Sequence, residues 1–136
     1  MKVSDVMSRE VRVADPTYTI ERVARMMSEL DVGIVPVCDG DHIVGLITDR
    51  DIVLRVAGEG RDNEIPVNEV MTTHIESCRP EDRLTEVTER MAELQIRRLL
   101  VLDSAGKLAG IVSLGDIARA APPKKVGATL EDISEG

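Results

Sequence analysis

Two short stretches carry residue types that can hold a nucleotide. Gly45-Leu46-Ile47-Thr48-Asp49-Arg50-Asp51 and Gly110-Ile111-Val112-Ser113-Leu114-Gly115-Asp116 each set a glycine before two aliphatic residues, a hydroxyl residue and, three positions later, an aspartate. Read as a strand running into a helix, the pattern puts the hydroxyl and the carboxylate at the junction. The free amides and partial positive charge of a helix N-terminus suit a phosphate. A hydroxyl at the N-cap can donate to that phosphate, and a carboxylate one turn in can accept hydrogen bonds from a ribose diol. A glycine on the adjoining strand leaves room for a flat ring against the backbone. The same residues also fit a capping box, in which Ser or Thr bonds the N3 amide and the acidic N3 side chain bonds the N-cap amide. Capping is the commoner use of one such pair. Recurrence of the glycine and both polar residues after an aliphatic strand sharpens the binding reading.

The elements that position these residues recur as well. At an offset of 64, Val3, Val6, Met7, Pro16, Val23, Met27, Glu29, Leu30, Val37 and Asp39 meet the same residue types at Val67, Val70, Met71, Pro80, Val87, Met91, Glu93, Leu94, Val101 and Asp103. One extra residue in the second copy's turn shifts the offset to 65, matching Gly45, Asp51 and Ile52 to Gly110, Asp116 and Ile117. In the first copy Val11-Arg12-Val13 alternates and reads as a short strand. Asp15-Pro16-Thr17 marks the start of a helix whose apolar stripe is Ile20, Val23, Ala24, Met27 and Leu30, with Gly33 as its stop. Ile34–Cys38 and Ile43–Ile47, joined by Asp39-Gly40-Asp41, form a hairpin, and Thr48 opens a helix through about Val56. In the second copy Ile75–Cys78 is the short strand, and Leu84, Val87, Met91 and Leu94 are the helix stripe. Leu99–Leu102 with Leu108–Val112 make the hairpin, and Ser113 opens the last helix. The fold class is α/β, two β-α-β-β-α repeats packed about a pseudo-twofold axis so that each covers the other's apolar sheet face. Residues 1–60 are the first repeat and 61–123 the second, with Gly58–Pro66 as a linker. Residues 124–136 form a tail in which Thr129–Ile133 has the makings of one helical turn.

Composition excludes several function classes. At 136 residues the chain holds one domain or two small lobes, and no apolar run approaches the ~20 residues that span a bilayer. The N-terminus lacks a secretory signal and the two cysteines, Cys38 and Cys78, suit a reducing compartment, so a cytoplasmic location is expected. A net charge of -8 opposes contact with nucleic acid or an anionic membrane, and without Phe or Trp the chain lacks platforms for stacking bases. Ile52, Val53, Leu54, Val56 and Ala57 are apolar around most of a helix circumference, which predicts a homodimer.

With the two Gly-h-h-(Ser/Thr)-x-x-Asp signatures stand the strands Val35-Pro36-Val37-Cys38-Asp39 and Leu99-Leu100-Val101-Leu102-Asp103 and the starts Asp5-Val6-Met7 and Glu69-Val70-Met71. In tandem and in this order they make residues 1–121 resemble a pair of CBS domains, a Bateman module. The resemblance implies a non-catalytic regulatory module binding adenine nucleotides or adenosine derivatives, of the AMP, ADP, ATP, NADH or S-adenosylmethionine class, in clefts between the repeats. It implies Thr48 with Asp51 and Ser113 with Asp116 at the phosphate and ribose. It also implies that the base lies against Val11–Ala14 with Ile34–Pro36, and Ile75–Cys78 with Leu99, singling out Val13, Ile34, Pro36, Ile75 and Leu99. Arg97-Arg98 resembles the basic doublet that faces the phosphates in the nucleotide-sensing subunit of AMP-activated protein kinase. The first copy has Gly33-Ile34 there, leaving Arg50 or Arg55 to supply charge, or a less charged ligand to bind. Binding is expected to change the angle between repeats or subunits and so to regulate a partner protein.

Other classes compete. Cys38 with His42 and His74 with Cys78 have a metal-like spacing of four. Along a strand His74 and Cys78 are separated by about 13 Å, too far to share an ion, whereas Cys38 and His42 flank a turn where they can converge but are only two ligands, and no metal is predicted. Asp49, Asp51 and Asp116 have the chemistry to hold Mg2+ on a phosphate. No nucleophile and base pair recurs, however, so hydrolysis is not expected. A dimeric interaction module whose junctions only cap helices is the remaining alternative.

Overall fold

The structure, a computed structural model, is described here for residues 1–120. It is mixed α/β, built from two repeats of strands and helices. Contacts divide the described residues into two compact units, one of Arg12–Ile75 and the other of Met1–Val11 with residues 76–120. The proposed turn at Thr129–Ile133 lies outside the described residues.

In the first-repeat unit, α1 (Ile20–Leu30) begins where the Thr19 side chain accepts a hydrogen bond from the Arg22 amide at 3.1 Å. Ile20, Val23, Met26 and Met27 enter the core, while Leu30, assigned to the stripe from its spacing, is 37% exposed. The helix stops at Asp31, left-handed at φ 53° with its amide bonded to the Met27 carbonyl, and not at Gly33. α3 (Leu84–Leu94) stops in the same way at Gln95, φ 56°. Aspartate and glutamine tolerate the single left-handed step that closes a helix.

β1 (Ile34–Asp39) and β2 (His42–Thr48) form the expected antiparallel hairpin, with Ile34 opposite Thr48 and Val37 opposite Gly45. Val11-Arg12-Val13 is not a strand. The first repeat keeps only an isolated parallel bridge, Ala14 to Val37, in which the Ala14 amide donates to Pro36 O and its carbonyl accepts from the Cys38 amide, both at 2.9 Å. The second repeat has a two-residue strand, β3 (Ser77–Cys78), parallel to β4 (Arg98–Leu102), which pairs with β5 (Leu108–Ser113). The extra residue of the second hairpin is absorbed in a turn where Asp103 Oδ1 accepts from the amides of Ala105 and Lys107, both at 2.9 Å.

After β2 the chain is α-helical over α2 (Asp49–Ile52) and then runs as a π-helix over Val53–Ala57, where an α-helix to about Val56 was expected. Ile52 and Val56 turn into the core and leave Val53 and Leu54 60% and 53% exposed. The second repeat closes with α4 (Leu114–Ala120), which buries Leu114 and Ile117.

Each repeat's leading segment belongs to the other repeat's unit. The Val3 amide donates to Asp82 O and that of Ser4 to Pro80 O, both at 2.9 Å, and Ser8 bridges Ile111. In the other unit the Val67 amide donates to Tyr18 O at 2.8 Å and that of Asn68 to Pro16 O at 3.2 Å, and Thr72 bridges Leu46. Val3 and Val67 are fully buried, each in the core of the unit that receives it.

Candidate functional site: two capped strand-to-helix junctions

Both junctions form complete capping boxes. In the first, the Thr48 amide donates to Asp51 Oδ2 at 3.0 Å and the Asp51 amide donates to Thr48 Oγ1 at 3.1 Å. In the second, the Ser113 amide donates to Asp116 Oδ2 and the Asp116 amide to Ser113 Oγ, both at 3.0 Å. Each carboxylate thereby spends one oxygen on the helix end. The Asp51 and Asp116 side chains are 14% and 19% exposed, so each is mostly covered and keeps a narrow opening to solvent.

The second oxygen has different company in the two copies. Thr72 Oγ1 lies 3.4 Å from Asp51 Oδ1 and 3.3 Å from Oδ2, and Arg55 Nε lies 3.9 Å from Oδ1 while its Nη1 donates to Val70 O at 3.1 Å. Asp116 Oδ1 is bonded instead by Arg119, one turn further along α4. Thr72 and Arg119 were not singled out from the sequence. Thr72 had a legible signal, because Met7-Ser8 and Met71-Thr72 both place a hydroxyl residue directly after the repeated methionine.

Neither motif glycine leaves its strand open to a flat ring. A methyl group on Gly45 would lie 2.6 Å from Met71 Sδ and 2.9 Å from Thr72 O, and one on Gly110 would lie 2.5 Å from Ser8 O and 3.1 Å from Met7 Sδ. The backbone bridges Thr72 to Leu46 and Ser8 to Ile111 bring the leading segments onto this face. The glycines admit the chain itself.

The remaining predicted residues fall as follows. Arg98 pairs in register with Ser113, and the Arg97 carbonyl accepts the Leu114 amide at 2.8 Å, so the doublet's backbone is tied to the second cap. Both arginines are exposed, and neither guanidinium makes an ion pair among the described residues. In the first copy the Asp49 amide donates to Gly33 O at 3.0 Å, and the Asp49 carboxylate fills the space beside Gly33, Oδ2 standing 3.0 Å from where a β-carbon would be. The first junction therefore carries Asp49, Gly33 and Ile34 where the second carries Leu114 and two arginines. Ile34, half-buried, faces Thr48 in the hairpin, and exposed Val13 adjoins the Ala14 bridge. Pro36 and Leu99 are core residues. Ile75 ends the first-repeat unit, whereas Leu99 and Ser113 belong to the other.

The thiols are free and buried, and burial raises the pKa of both. Cys78 is pushed up to about 11, chiefly by burial and also by the nearby Asp82 carboxylate, with Arg90 opposing. Among the described residues no three His, Cys, Asp or Glu side chains converge as metal ligands.

Comparison with known proteins decides the family. The CBS-domain model matches residues 3–58 and again 67–122. The chain belongs to the CBS-domain family. It is 40% identical to the CBS domain-containing protein YhcV of Bacillus subtilis over 97% of this chain and 94% of that protein. Among solved structures, the CBS domain pair of MJ0100 in complex with 5'-methylthioadenosine and S-adenosyl-L-methionine superposes with a TM-score of 0.77 at 25% identity, over 88% of this chain and 94% of that one. CBSX2 in complex with AMP gives 0.77 at 26% identity, over 91% and 98%. CBS pairs similar to this one thus bind adenosine-type small molecules, and among the described residues no helix is long and apolar enough to cross a membrane.

Proposed function

We propose that the chain is a non-catalytic sensor that binds adenine nucleotides or adenosine derivatives at its capped junctions and passes the signal to a partner protein. The observation that carries this reading is the pair of junctions itself. Each offers a helix N-terminus, a hydroxyl and a carboxylate with one oxygen outside the cap, in a family whose similar members hold AMP or S-adenosylmethionine. A ribose diol that engages Asp51 or Asp116 competes with the Thr72 and Arg55 contacts in the first copy and with Arg119 in the second. Ligand exchange at these oxygens supplies the conformational signal.

The two sites are not equivalent. Arg97 and Arg98 beside Ser113 suit a phosphorylated ligand such as AMP, ADP, ATP or NADH, whereas Asp49 beside Gly33 repels phosphate and favours an uncharged or cationic adenosine derivative. Thermal denaturation with AMP, ADP, ATP, NADH and S-adenosylmethionine tests this. A ligand at 100 times its dissociation constant adds about 2.7 kcal/mol of apparent stability. Asp116→Ala removes the response to phosphorylated ligands and Asp51→Ala leaves it. A chain that no ligand stabilises overturns the proposal and leaves a dimeric interaction module.

Self-association belongs to the same reading. Val53 and Leu54 are exposed on the helical segment next to α1, and a second copy of the chain is the partner proposed for them.

A further inference from the structure

At the far end of the second repeat's hairpin lies a pocket that the capped junction does not use. Arg98 of β4 pairs with Ser113 at the capped end, and Leu102 pairs with Leu108 about 13 Å further along the strand. The pocket at that end holds about 590 Å3, a size that admits a small molecule, and the residues lining it all belong to the second repeat's unit. The buried Cys78 is part of its wall. Around it stand two arginines and two aspartates, Arg79, Arg90, Asp82 and Asp103.

The fold itself does not call for this polarity. At the offset of 64, Ser77, Cys78, Asp82 and Arg90 stand where the first repeat has Val13, Ala14, Tyr18 and Met26. Ala14 and Met26 are buried in the first unit's core and Tyr18 packs against it. The second repeat thus builds the same elements with an aspartate and an arginine in place of two core-packing side chains. Asp103 has a counterpart in Asp39, and its part in the turn occupies only one of its oxygens.

These groups keep capacity for a ligand. Asp82 Oδ2 accepts the Arg79 amide at 2.9 Å and Asp103 Oδ1 accepts the Ala105 and Lys107 amides, which leaves Asp82 Oδ1 and Asp103 Oδ2 without a partner among the described residues. Arg90 is held in place, its Nη1 donating to Ser77 O at 2.6 Å and its Nη2 lying 3.1 Å from Glu76 Oε2. Arg79 is exposed, and its guanidinium makes no hydrogen bond or ion pair among the described residues. A simple anion would meet one unpaired guanidinium and two carboxylates that repel it. A metal ion lacks ligands, since no three His, Cys, Asp or Glu side chains converge among the described residues. A molecule that carries both charges satisfies the arginine and the aspartates together.

We propose that this pocket binds a free α-amino acid as its zwitterion, the α-carboxylate on Arg79 and the α-ammonium on the open oxygens of Asp82 and Asp103. The site is separate from the capped junctions and does not depend on nucleotide binding there. Isothermal titration calorimetry of the full chain with each common L-amino acid tests it. At least one is expected to bind, and its N-acetyl and carboxamide derivatives, each lacking one of the two backbone charges, should bind about tenfold more weakly or worse. Arg79→Gln removes a guanidinium that has no partner in the folded chain and should weaken binding by a similar factor. Asp82→Tyr installs the first repeat's residue and should abolish binding. Circular dichroism of each variant verifies its fold, and Arg79→Gln decides if Asp82→Tyr does not fold. Absence of binding by every amino acid, equal binding of either derivative, or an Arg79→Gln chain that binds as tightly as the unmodified one overturns the proposal, whatever the response to AMP.

Discussion

Gly45 and Gly110 show how a residue's neighbours decide what it is for. In the bare sequence a glycine before an aliphatic pair and a polar cap reads as space for a ligand ring, yet the space above each is filled by a methionine side chain and a backbone carbonyl. Alanine at either position is therefore expected to destabilise the protein by about 1 to 3 kcal/mol through overpacking. Gly110→Ala is the costlier, because its methyl meets the Ser8 carbonyl at 2.5 Å, while at Gly45 the nearest atom is the sulfur of the Met71 side chain at 2.6 Å and the nearest backbone atom, Thr72 O, is 2.9 Å away. Urea denaturation of the two variants, without ligand, checks both size and order. The buried thiol of Cys78 makes a second prediction at this scale. With its pKa raised from 9.0 to about 11 by folding, the native state holds a proton that the unfolded chain releases in that interval. This contribution to stability is full below pH 9 and falls away as pH rises towards about 11. Thermal midpoints should decline over that window more steeply for the natural chain than for Cys78→Ala. At neutral pH a thiol reagent should modify Cys78 slowly until denaturant is added.

Among the elements, hairpins and long helices were legible because they bury one face at a fixed period. Ile20, Val23 and Met27, like Leu84, Val87 and Met91, point inward as their spacing requires. What failed has physical causes that no periodicity records. Val11-Arg12-Val13 has the alternation of a strand, but in this repeat hydrogen bonding to the hairpin falls on Ala14 alone. Gly33 is the obvious stop in α1, but Asp31 reaches the left-handed step first. The π-helix at Val53–Ala57 follows an α-helix of only four residues, so the first repeat's helical segment depends heavily on its cap. Thr48→Ala and Ser113→Ala should each cost about 1 kcal/mol. Hydrogen exchange should show faster loss of protection over Asp49–Ile52 in the first variant than over Leu114–Ala120 in the second, since α4 has seven α-helical residues behind its cap and α2 only four before the π-helix. Of the candidate site, both hydroxyl and carboxylate pairs and the Arg97-Arg98 doublet were readable from repetition. Thr72 and Arg119 were less so, because their importance comes from which carboxylate they touch.

At the scale of the whole molecule, the leading segments have the widest consequence. Met1–Val11 is part of the second repeat's unit, and the stretch around Val67 and Thr72 is part of the first's. Genetic excision along the apparent repeat boundary, giving a fragment of residues 1–60, discards Val67 and Thr72 and retains an N-terminal segment whose hydrogen-bond partners are gone. A fragment of residues 12–75 keeps every one of the first unit's lead-in hydrogen bonds. It should show the more cooperative thermal transition of the two by circular dichroism. The autonomous segment is thus offset from the duplicated one by about ten residues. A single repeat of this design has its core completed by the leading segment of another repeat, as Val3 and Val67 do here. Tandem duplication thus holds a segment-exchanged pair within a single polypeptide, with the exchange preserved inside it.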